Sequence, residues 1–179
     1  MASSATGSVA NTNDLPTGSV TVTGTLVIGQ TLTATNTLAD ADGLGAVSYQ
    51  WKANGTAISG ATSASYTLTQ SEVGKTITVV ASYTDVLGSP ESVSSSATVS
   101  VANVNDAPTG SVTIAGSATQ GQTLTATNTL ADSDGLGTVS YQWKADGTNI
   151  SGATSATFTL TQAQVGKAIT VVASYNDVL

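Results

Sequence analysis

The sequence predicts an all-β protein made of two tandem immunoglobulin-like antiparallel β-sandwiches, the second of which lacks its last strand. Apolar residues alternate with Ser and Thr in short segments, and turn signals separate those segments at regular intervals. The pattern also occurs twice. The dipeptide Asn13-Asp14 recurs 92 residues later (105 minus 13), and 58 of the 75 positions that align without a gap are identical. The chain therefore contains two copies of one fold.

Each strand of the first copy follows from its own signal. The second strand alternates Leu and Ala with Thr, the third places Trp51 at a core position, and the sixth alternates from Ile77 to Tyr83. Asn54-Gly55 predicts a hairpin, because a type I′ turn needs positive φ at both positions. Residues 70–74 suit a single helical turn. The predicted strands cover residues 18–23, 30–38, 47–53, 56–58, 65–69, 76–84 and 92–101.

The alignment of the copies also defines the domain boundaries. Residues 3–11 match residues 95–103, so the chain begins with the last strand of a preceding repeat. The second copy has nothing that matches residues 88–102. We therefore assign residues 1–12 to a strand remnant, 13–102 to the first immunoglobulin-like repeat, 103–108 to a linker and 109–179 to the second repeat.

The composition argues against several classes of function. The chain has 11 acidic and 4 basic residues, a net charge of −7, so it lacks the basic surface that nucleic acid requires. No apolar run reaches the roughly 18 residues of a membrane span, and we expect no membrane insertion. Histidine and cysteine are absent, which removes the common catalytic bases and thiolate nucleophiles. The sequence therefore does not predict an enzyme.

Acidic residues are predicted to meet at one end of each sandwich. Three or four carboxylates within about 5 Å would repel by roughly 3 kcal/mol per pair, against a domain stability of about 5 to 15 kcal/mol. We therefore expect a compensating cation, and Ca²⁺ takes six to eight oxygen ligands of this kind. The candidate ligands are Asn13, Asp14, Asp40, Asp42 and Asp85 in the first copy, and Asn103, Asn105, Asp106, Asp132, Asp134 and Asp177 at the junction, with about one ion per junction.

Two alternatives need no metal. Lys52 and Lys75 of the first repeat are predicted at the end that faces the second, where they could pair with its acids, although exposed pairs contribute only about 0 to 1 kcal/mol each. The acids could also form a merely solvated rim. Neighbouring repeats are in either case the expected partners within the chain.

The motifs resemble known tandem repeats. The linker NVNDAP and the pair Asp132 and Asp134 resemble the calcium motifs of cadherin-type domains. The segments NDAPTG, ADSDGLG, YQWKADG and LTQAQVGKAITVVASYND resemble the immunoglobulin-like repeats of giant RTX-type bacterial adhesins. This resemblance implies an extracellular location on the bacterial cell surface, junctions stiffened by calcium, and an extender role between the cell anchor and ligand-binding modules.

The expected function is therefore that of a structural spacer. The alternative is an adhesive module that binds glycan, a surface or itself. Such sites usually contain exposed aromatic side chains, but both Trp residues fall on the alternating positions that face the core, and no exposed aromatic platform is predicted. An incomplete second sandwich would also leave a strand edge open. Residues 3–10 of another molecule could pair with that edge, which predicts end-to-end self-association.

Overall fold

The computed structural model describes residues 1 and 3–178, which form two compact units. Unit 1 comprises Met1–Val104 and unit 2 comprises Asn105–Leu179. The boundary falls inside the predicted linker, residues 103–108. Ala2, in the predicted strand remnant, and Leu179, the predicted end of the second repeat, lie outside the described residues.

Unit 1 is an antiparallel β-sandwich. One sheet has the strand order β1-β2-β5 and the other has the order β4-β3-β6-β7. The pairings between these seven strands are all antiparallel, as the predicted fold class requires. The strands are β1 (Val20–Thr23), β2 (Thr31–Asn36), β3 (Ser48–Ala53), β4 (Thr56–Ala57), β5 (Ser65–Thr67), β6 (Ile77–Thr84) and β7 (Pro90–Ser94).

Unit 2 repeats this architecture up to the sixth strand. Its two sheets have the orders β8-β9-β12 and β11-β10-β13. Within residues 105–178 no strand occupies the place that β7 has in unit 1. The strands are β8 (Val112–Ala115), β9 (Thr123–Asn128), β10 (Ser140–Ala145), β11 (Thr148–Asn149), β12 (Thr157–Thr159) and β13 (Ile169–Ser174).

A tryptophan lies at the centre of each core. Trp51 is fully buried between the sheets of unit 1 with Leu32, Ile77 and Val79, as its sequence parity predicted. Its indole N–H donates to the Ser63 carbonyl at 2.8 Å, so burial leaves no polar group unsatisfied. Trp143 takes the same place in unit 2. The tryptophans are therefore structural.

The two copies make the same hydrogen bonds at two positions where their residues differ, namely Asn54 against Asp146 and Glu72 against Gln164. Asn54 has φ 46° and Gly55 has φ 80°, which confirms the predicted hairpin, and Asn54 Oδ1 accepts from the Thr76 N–H. Asp146 offers the same oxygen in unit 2. The predicted helical turn is a 3-10 turn, Gln70–Glu72, whose capping box uses a glutamate oxygen in unit 1 and a glutamine oxygen in unit 2.

Threonines line the outward face of the β1-β2-β5 sheet. The hydroxyls of Thr21 and Thr35 lie 2.7 Å apart, and those of Thr31 and Thr67 lie 2.9 Å apart. Unit 2 has the same cross-strand pairs at Thr113–Thr127 and Thr123–Thr159. Hydroxyl pairs of this kind stabilise a solvated face without any charge.

The last strand of unit 1 departs from the sequence prediction. A regular strand was expected over residues 92–101, but the ladder ends at Ser94. Beyond it, the N–H groups of Ser95, Thr98 and Val101 donate to the carbonyls of Val79, Ile77 and Lys75. Three residues therefore advance for every two on β6, as in a run of β-bulges. The Ser95 and Thr98 hydroxyls accept from the β6 amides of Val79 and Ile77, so side chains replace the missing ladder bonds.

Candidate functional site

Four aspartates of unit 1 lie where β1 begins and where β2 and β6 end. We call Asp14, Asp40, Asp42 and Asp85 the acidic pole of unit 1. The turn ADADGLG closes on its own first aspartate, because the Asp42 N–H donates to Asp40 Oδ1 at 2.9 Å and the Gly43 N–H to the Asp40 carbonyl at 3.1 Å. Gly43 has φ +96°, and a methyl group there would lie 2.6 Å from Val86. The turn thus requires glycine at this position.

A tyrosine from β6 holds the other oxygen of Asp40. The Tyr83 hydroxyl donates to Asp40 Oδ2 at 2.5 Å, and burial together with this carboxylate raises the pKa of Tyr83. Tyr175 donates to Asp132 in the same way in unit 2. There the hydrogen bond, followed by burial, raises the pKa of Tyr175 to about 12. Both tyrosines therefore remain protonated donors at neutral pH.

Asp42 fastens the segment that leads into β1. Its Oδ2 accepts from the Asp14 N–H at 2.7 Å, and its Oδ1 accepts from the Asn11 amide at 2.6 Å. Asn13 instead donates to Glu91 at 2.7 Å. Asp14 thus binds Asp42 through its backbone N–H and not through its carboxylate. The negative charge of Asp42 is satisfied by two donors from the incoming chain.

Asp85 is the most buried acid of the pole, with 5% of its surface exposed. Its Oδ1 accepts from the Ser89 N–H at 2.7 Å, which closes the turn between β6 and β7. Its Oδ2 has no hydrogen-bond partner among the described residues. A buried carboxylate oxygen without a donor is costly, and a cation would satisfy it.

The acidic pole of unit 2 is formed by Asp106, Asp132, Asp134 and Asp177, and it repeats the bonds that Asp40 and the Asp14 N–H make in unit 1. Asp134 is 2% exposed and accepts from the Asp106 N–H at 2.6 Å, and the Asp134 N–H donates to Asp132. A shallow cavity of about 390 Å³ beside them is lined in part by Asn105, Asp106, Asp132 and Asp177. Oxygen donors of this kind suit a hard divalent cation.

The candidate ligands do not all converge. Asn103 lies in unit 1, where its side-chain oxygen accepts from Gln70 at 3.4 Å, and the Asn105 amide donates to the adjacent Asp106 carbonyl. In residues 1 and 3–178 no three acidic side chains are grouped to hold a metal ion. The donor types therefore suit calcium, but the carboxylates as placed accept hydrogen bonds and form no carboxylate cage. Calcium binding stays a prediction.

The sequence interpretation missed the donors that offset the acidic charge. These are the two tyrosine hydroxyls, the Asn11 amide and the backbone N–H groups of Asp14 and Asp106. The role of Tyr83 could have been predicted, because Tyr83 is one of the alternating residues of β6 that face the core. A buried hydroxyl needs a hydrogen-bond partner. The backbone donors carry no such signal.

Similarity to known proteins is limited. No family model matches the chain. The highly immunogenic outer capsid protein of Enterobacteria phage T4 is 34% identical over 147 residues, which cover 80% of this chain and 39% of that protein. The chain thus spans about two fifths of the length of this relative. No helix in the described part of the chain is long and apolar enough to cross a membrane.

Proposed function

We propose that this chain is a spacer segment of an extracellular protein, in which each sandwich carries the chain from one end to the other. The observation that carries this proposal is the course of the backbone through unit 1. The chain arrives at the acidic pole, where Asp42 binds the N–H of Asp14. It leaves at the opposite end, beside the β1–β2 turn. A unit that receives and releases the chain at opposite ends adds its length to the array.

The segment that leaves unit 1, like the one that enters it, is hydrogen-bonded to the body of the sandwich. Val101 is 2% exposed, and its N–H donates to the Lys75 carbonyl at 3.0 Å. Its carbonyl accepts from the Gly74 N–H at 2.9 Å, and the Ala102 N–H donates to the Leu26 carbonyl at 2.8 Å. Both chain ends of unit 1 are thus bound to its body, as a spacer under tension requires.

The similarity to an outer capsid protein supports display on an exterior surface. That relative is an outer capsid protein of a phage, and the chain spans only part of it. The repeat motifs resemble bacterial adhesins. We therefore propose an exposed position for the chain, more narrowly on a bacterial cell surface, with the spacer projecting ligand-binding modules that lie elsewhere in its parent protein.

The spacer proposal is tested by counting repeats. Chains of one to four copies of the 92-residue repeat are measured by small-angle X-ray scattering. An eight-residue strand spans roughly 26 Å and a six-residue linker adds at most about 20 Å, so the maximum dimension should grow linearly by about 26 to 46 Å per copy. Growth that flattens with copy number would mean that the repeats collapse on one another, and it would refute the spacer.

Calcium is tested separately. We propose that a divalent cation binds at the acidic poles, supported by the oxygen-rich cavity of unit 2 and by the unpartnered Asp85 oxygen. Thermal unfolding is followed during titration with Ca²⁺, with Mg²⁺ as the control ion. A calcium-specific rise in melting temperature that Asp132→Ala abolishes is expected. An unchanged melting temperature would leave the acids as hydrogen-bond acceptors alone.

A further inference from the structure

The turn between β3 and β4 joins an asparagine to a glycine. Asn54 is the only asparagine in the sequence that glycine follows. The carboxamide carbon of an asparagine and the backbone nitrogen of the next residue can close a five-membered imide ring. Glycine leaves its nitrogen accessible to this reaction, because it has no side chain. Asn54 and Gly55 therefore supply the electrophile and the nucleophile of a spontaneous modification.

Water reaches this turn. Asn54 and Gly55 are both exposed, and a methyl group built on Gly55 would meet no atom beyond its chain neighbours within 4 Å. The space around the turn is therefore sufficient for the ring to close and for water to open it again. Asn36, by contrast, is half-buried, donates to the Tyr49 hydroxyl at 2.6 Å and precedes Thr37. The turn thus differs from this second asparagine site in both accessibility and sequence.

The backbone of the turn allows the ring to close. Asn54 has φ 46° and Gly55 has φ 80°, as in a type I′ turn. The imide fixes the rotation about the Cα–C bond of residue 54, so the peptide group between the two residues must turn over. Turning over that one group converts a type I′ turn into a type II′ turn, which is also a hairpin turn and keeps positive φ at its first central residue. The strands β3 and β4 can therefore keep their register while the imide forms.

Two donors from Thr76 hold the carboxamide oxygen of Asn54. Asn54 Oδ1 accepts from the Thr76 N–H at 2.9 Å and from the Thr76 hydroxyl at 3.2 Å. The Asn54 N–H in turn donates to the Thr76 carbonyl at 2.9 Å, which fixes the turn beside the start of β6. When the Gly55 nitrogen attacks Asn54 Cγ, negative charge develops on this same oxygen. Donors aimed at an oxygen that becomes charged stabilise the transition state, so Thr76 is placed to accelerate the attack.

The corresponding turn of unit 2 already has the residue that this chemistry produces. Asp146 stands where unit 1 has Asn54, and it has φ 49°. Its Oδ1 accepts from the Ala168 N–H at 2.9 Å, so an aspartate makes the backbone bond that Asn54 makes. Ala168 stands where unit 1 has Thr76, and alanine has no hydroxyl to donate. An aspartate is therefore compatible with the hairpin, and the hydroxyl donor accompanies the asparagine.

We propose that Asn54 deamidates spontaneously in the folded protein, that Thr76 stabilises the oxyanion, and that the hairpin retains the resulting aspartate. The Gly55 nitrogen forms a bond to Asn54 Cγ and loses its proton, and the bond from Cγ to the amide nitrogen breaks, so that ammonia leaves. Water then opens the imide. Cleavage of the ring bond to Cγ gives aspartate. Cleavage of the ring bond to the main-chain carbonyl carbon gives isoaspartate, whose extra backbone atom does not fit a two-residue turn.

The first experiment compares the folded chain with the same chain unfolded in guanidinium chloride. Both are incubated in mildly alkaline buffer, and peptide mapping by mass spectrometry follows each asparagine over time. Residue 54 should convert to aspartate and isoaspartate at least as fast in the folded chain as in the unfolded one. Asn36 is the internal control and should stay unchanged in the folded chain. Slower conversion of residue 54 in the folded chain would overturn the proposal, because the hydrogen bonds to Thr76 would then protect the asparagine.

The second experiment removes the hydroxyl of Thr76. Thr76→Val should slow conversion in the folded chain by about two- to tenfold, the contribution of one hydrogen bond, and should leave the unfolded rate unchanged. Thr76→Ser keeps the hydroxyl and should react like the parent chain, as should the matched control Thr78→Val on β6. Unit 2 forms the same turn with Ala168, so these variants should fold, which circular dichroism checks. A folded-state rate that Thr76→Val leaves unchanged or raises would contradict the proposal.

The third experiment builds the site in unit 2 and tests the product in unit 1. Residue 146 should deamidate about two- to tenfold faster in Asp146→Asn with Ala168→Thr than in Asp146→Asn alone. Equal rates in these two variants would refute the role of the hydroxyl. Asn54→Asp should unfold at nearly the same denaturant concentration as the parent chain, whereas Asn54→Ala, which loses the side-chain acceptor at positive φ, should unfold earlier. Equal losses in the two variants would show that the hairpin does not retain the aspartate.

Discussion

The packing of Val101 provides the sharpest test of how unit 1 binds the segment that leaves it. Val101 forms a bridge with Val73 and is buried in unit 1. Val101→Ala removes two buried methyl groups, a loss of about 1.6 kcal/mol in transfer free energy. The cavity left behind, on the order of 50 Å³, adds up to about 1.2 kcal/mol if the turns do not close on it. The free energy of unfolding should therefore fall by about 1.6 to 2.8 kcal/mol.

This loss corresponds to a large shift in melting temperature. A domain of about 90 residues has an unfolding entropy near 0.19 kcal/mol/K, so unit 1 should melt about 8 to 15 °C lower. Val99→Ala is the matched control, because Val99 lies two residues away and is 74% exposed. It should change the free energy of unfolding by less than about 0.5 kcal/mol.

The assay must report on unit 1 alone. Amide hydrogen exchange of β6 gives its unfolding free energy, and the Ala102 amide, which donates to Leu26, reports on the departing segment. In Val101→Ala the Ala102 amide should exchange faster than the β6 amides do. If Val101→Ala and Val99→Ala have equal stability, the segment is not bound in the way described, and the main support for the spacer proposal is lost.

Three further predictions concern the acidic pole and the turns. Because the pKa of Tyr83 is raised above its ordinary value of 10.0, the folded state keeps its phenolic proton after the unfolded state has lost it. Stability should therefore fall as pH rises above 10 in urea titrations, and Tyr83→Phe should reduce that fall. Gly45→Ala should destabilise unit 1 by about 2 kcal/mol or more, since its methyl group would lie 1.9 Å from a β6 carbonyl oxygen, whereas Gly7→Ala, with open space around it, should not. Glu72→Gln should leave the denaturation midpoint almost unchanged, because glutamine makes the same cap in unit 2, but Glu72→Ala should cost about 1 kcal/mol.

Much of the fold could be predicted because each signal was local. The period-two pattern placed Trp51 and β6, and the dipeptide Asn54-Gly55 specified the hairpin. The last strand of unit 1 was harder to predict. Its alternating pattern continues past Ser94, but the hydroxyls of Ser95 and Thr98 compete for the β6 amides and turn the strand into bulges. The sequence does not reveal which of two acceptors a backbone amide will choose.

The acidic pole was predicted in position but not in its bonding. The turn at Asp40 and Asp42 and the acid at Asp85 do lie at one end of the sandwich. The repulsion estimate omitted the donors that the fold supplies, among them the hydroxyl of Tyr83 and the N–H of Asp14. Those donors come from distant parts of the chain, 43 residues away for Tyr83 and 28 for Asp14. Their meeting is a product of the sandwich topology, which composition and spacing do not specify.

The threonine pairs on the β1-β2-β5 face have a consequence for the conditions that this protein tolerates. A surface held by neutral hydroxyls contains nothing for dissolved ions to screen and nothing that gains or loses a proton between mild acid and mild alkali. Only 8% of the residues are charged, and many of these lie at the two acidic poles. The β1-β2-β5 face should therefore keep its stability from dilute buffer to concentrated brine, while the acidic poles should respond to salt.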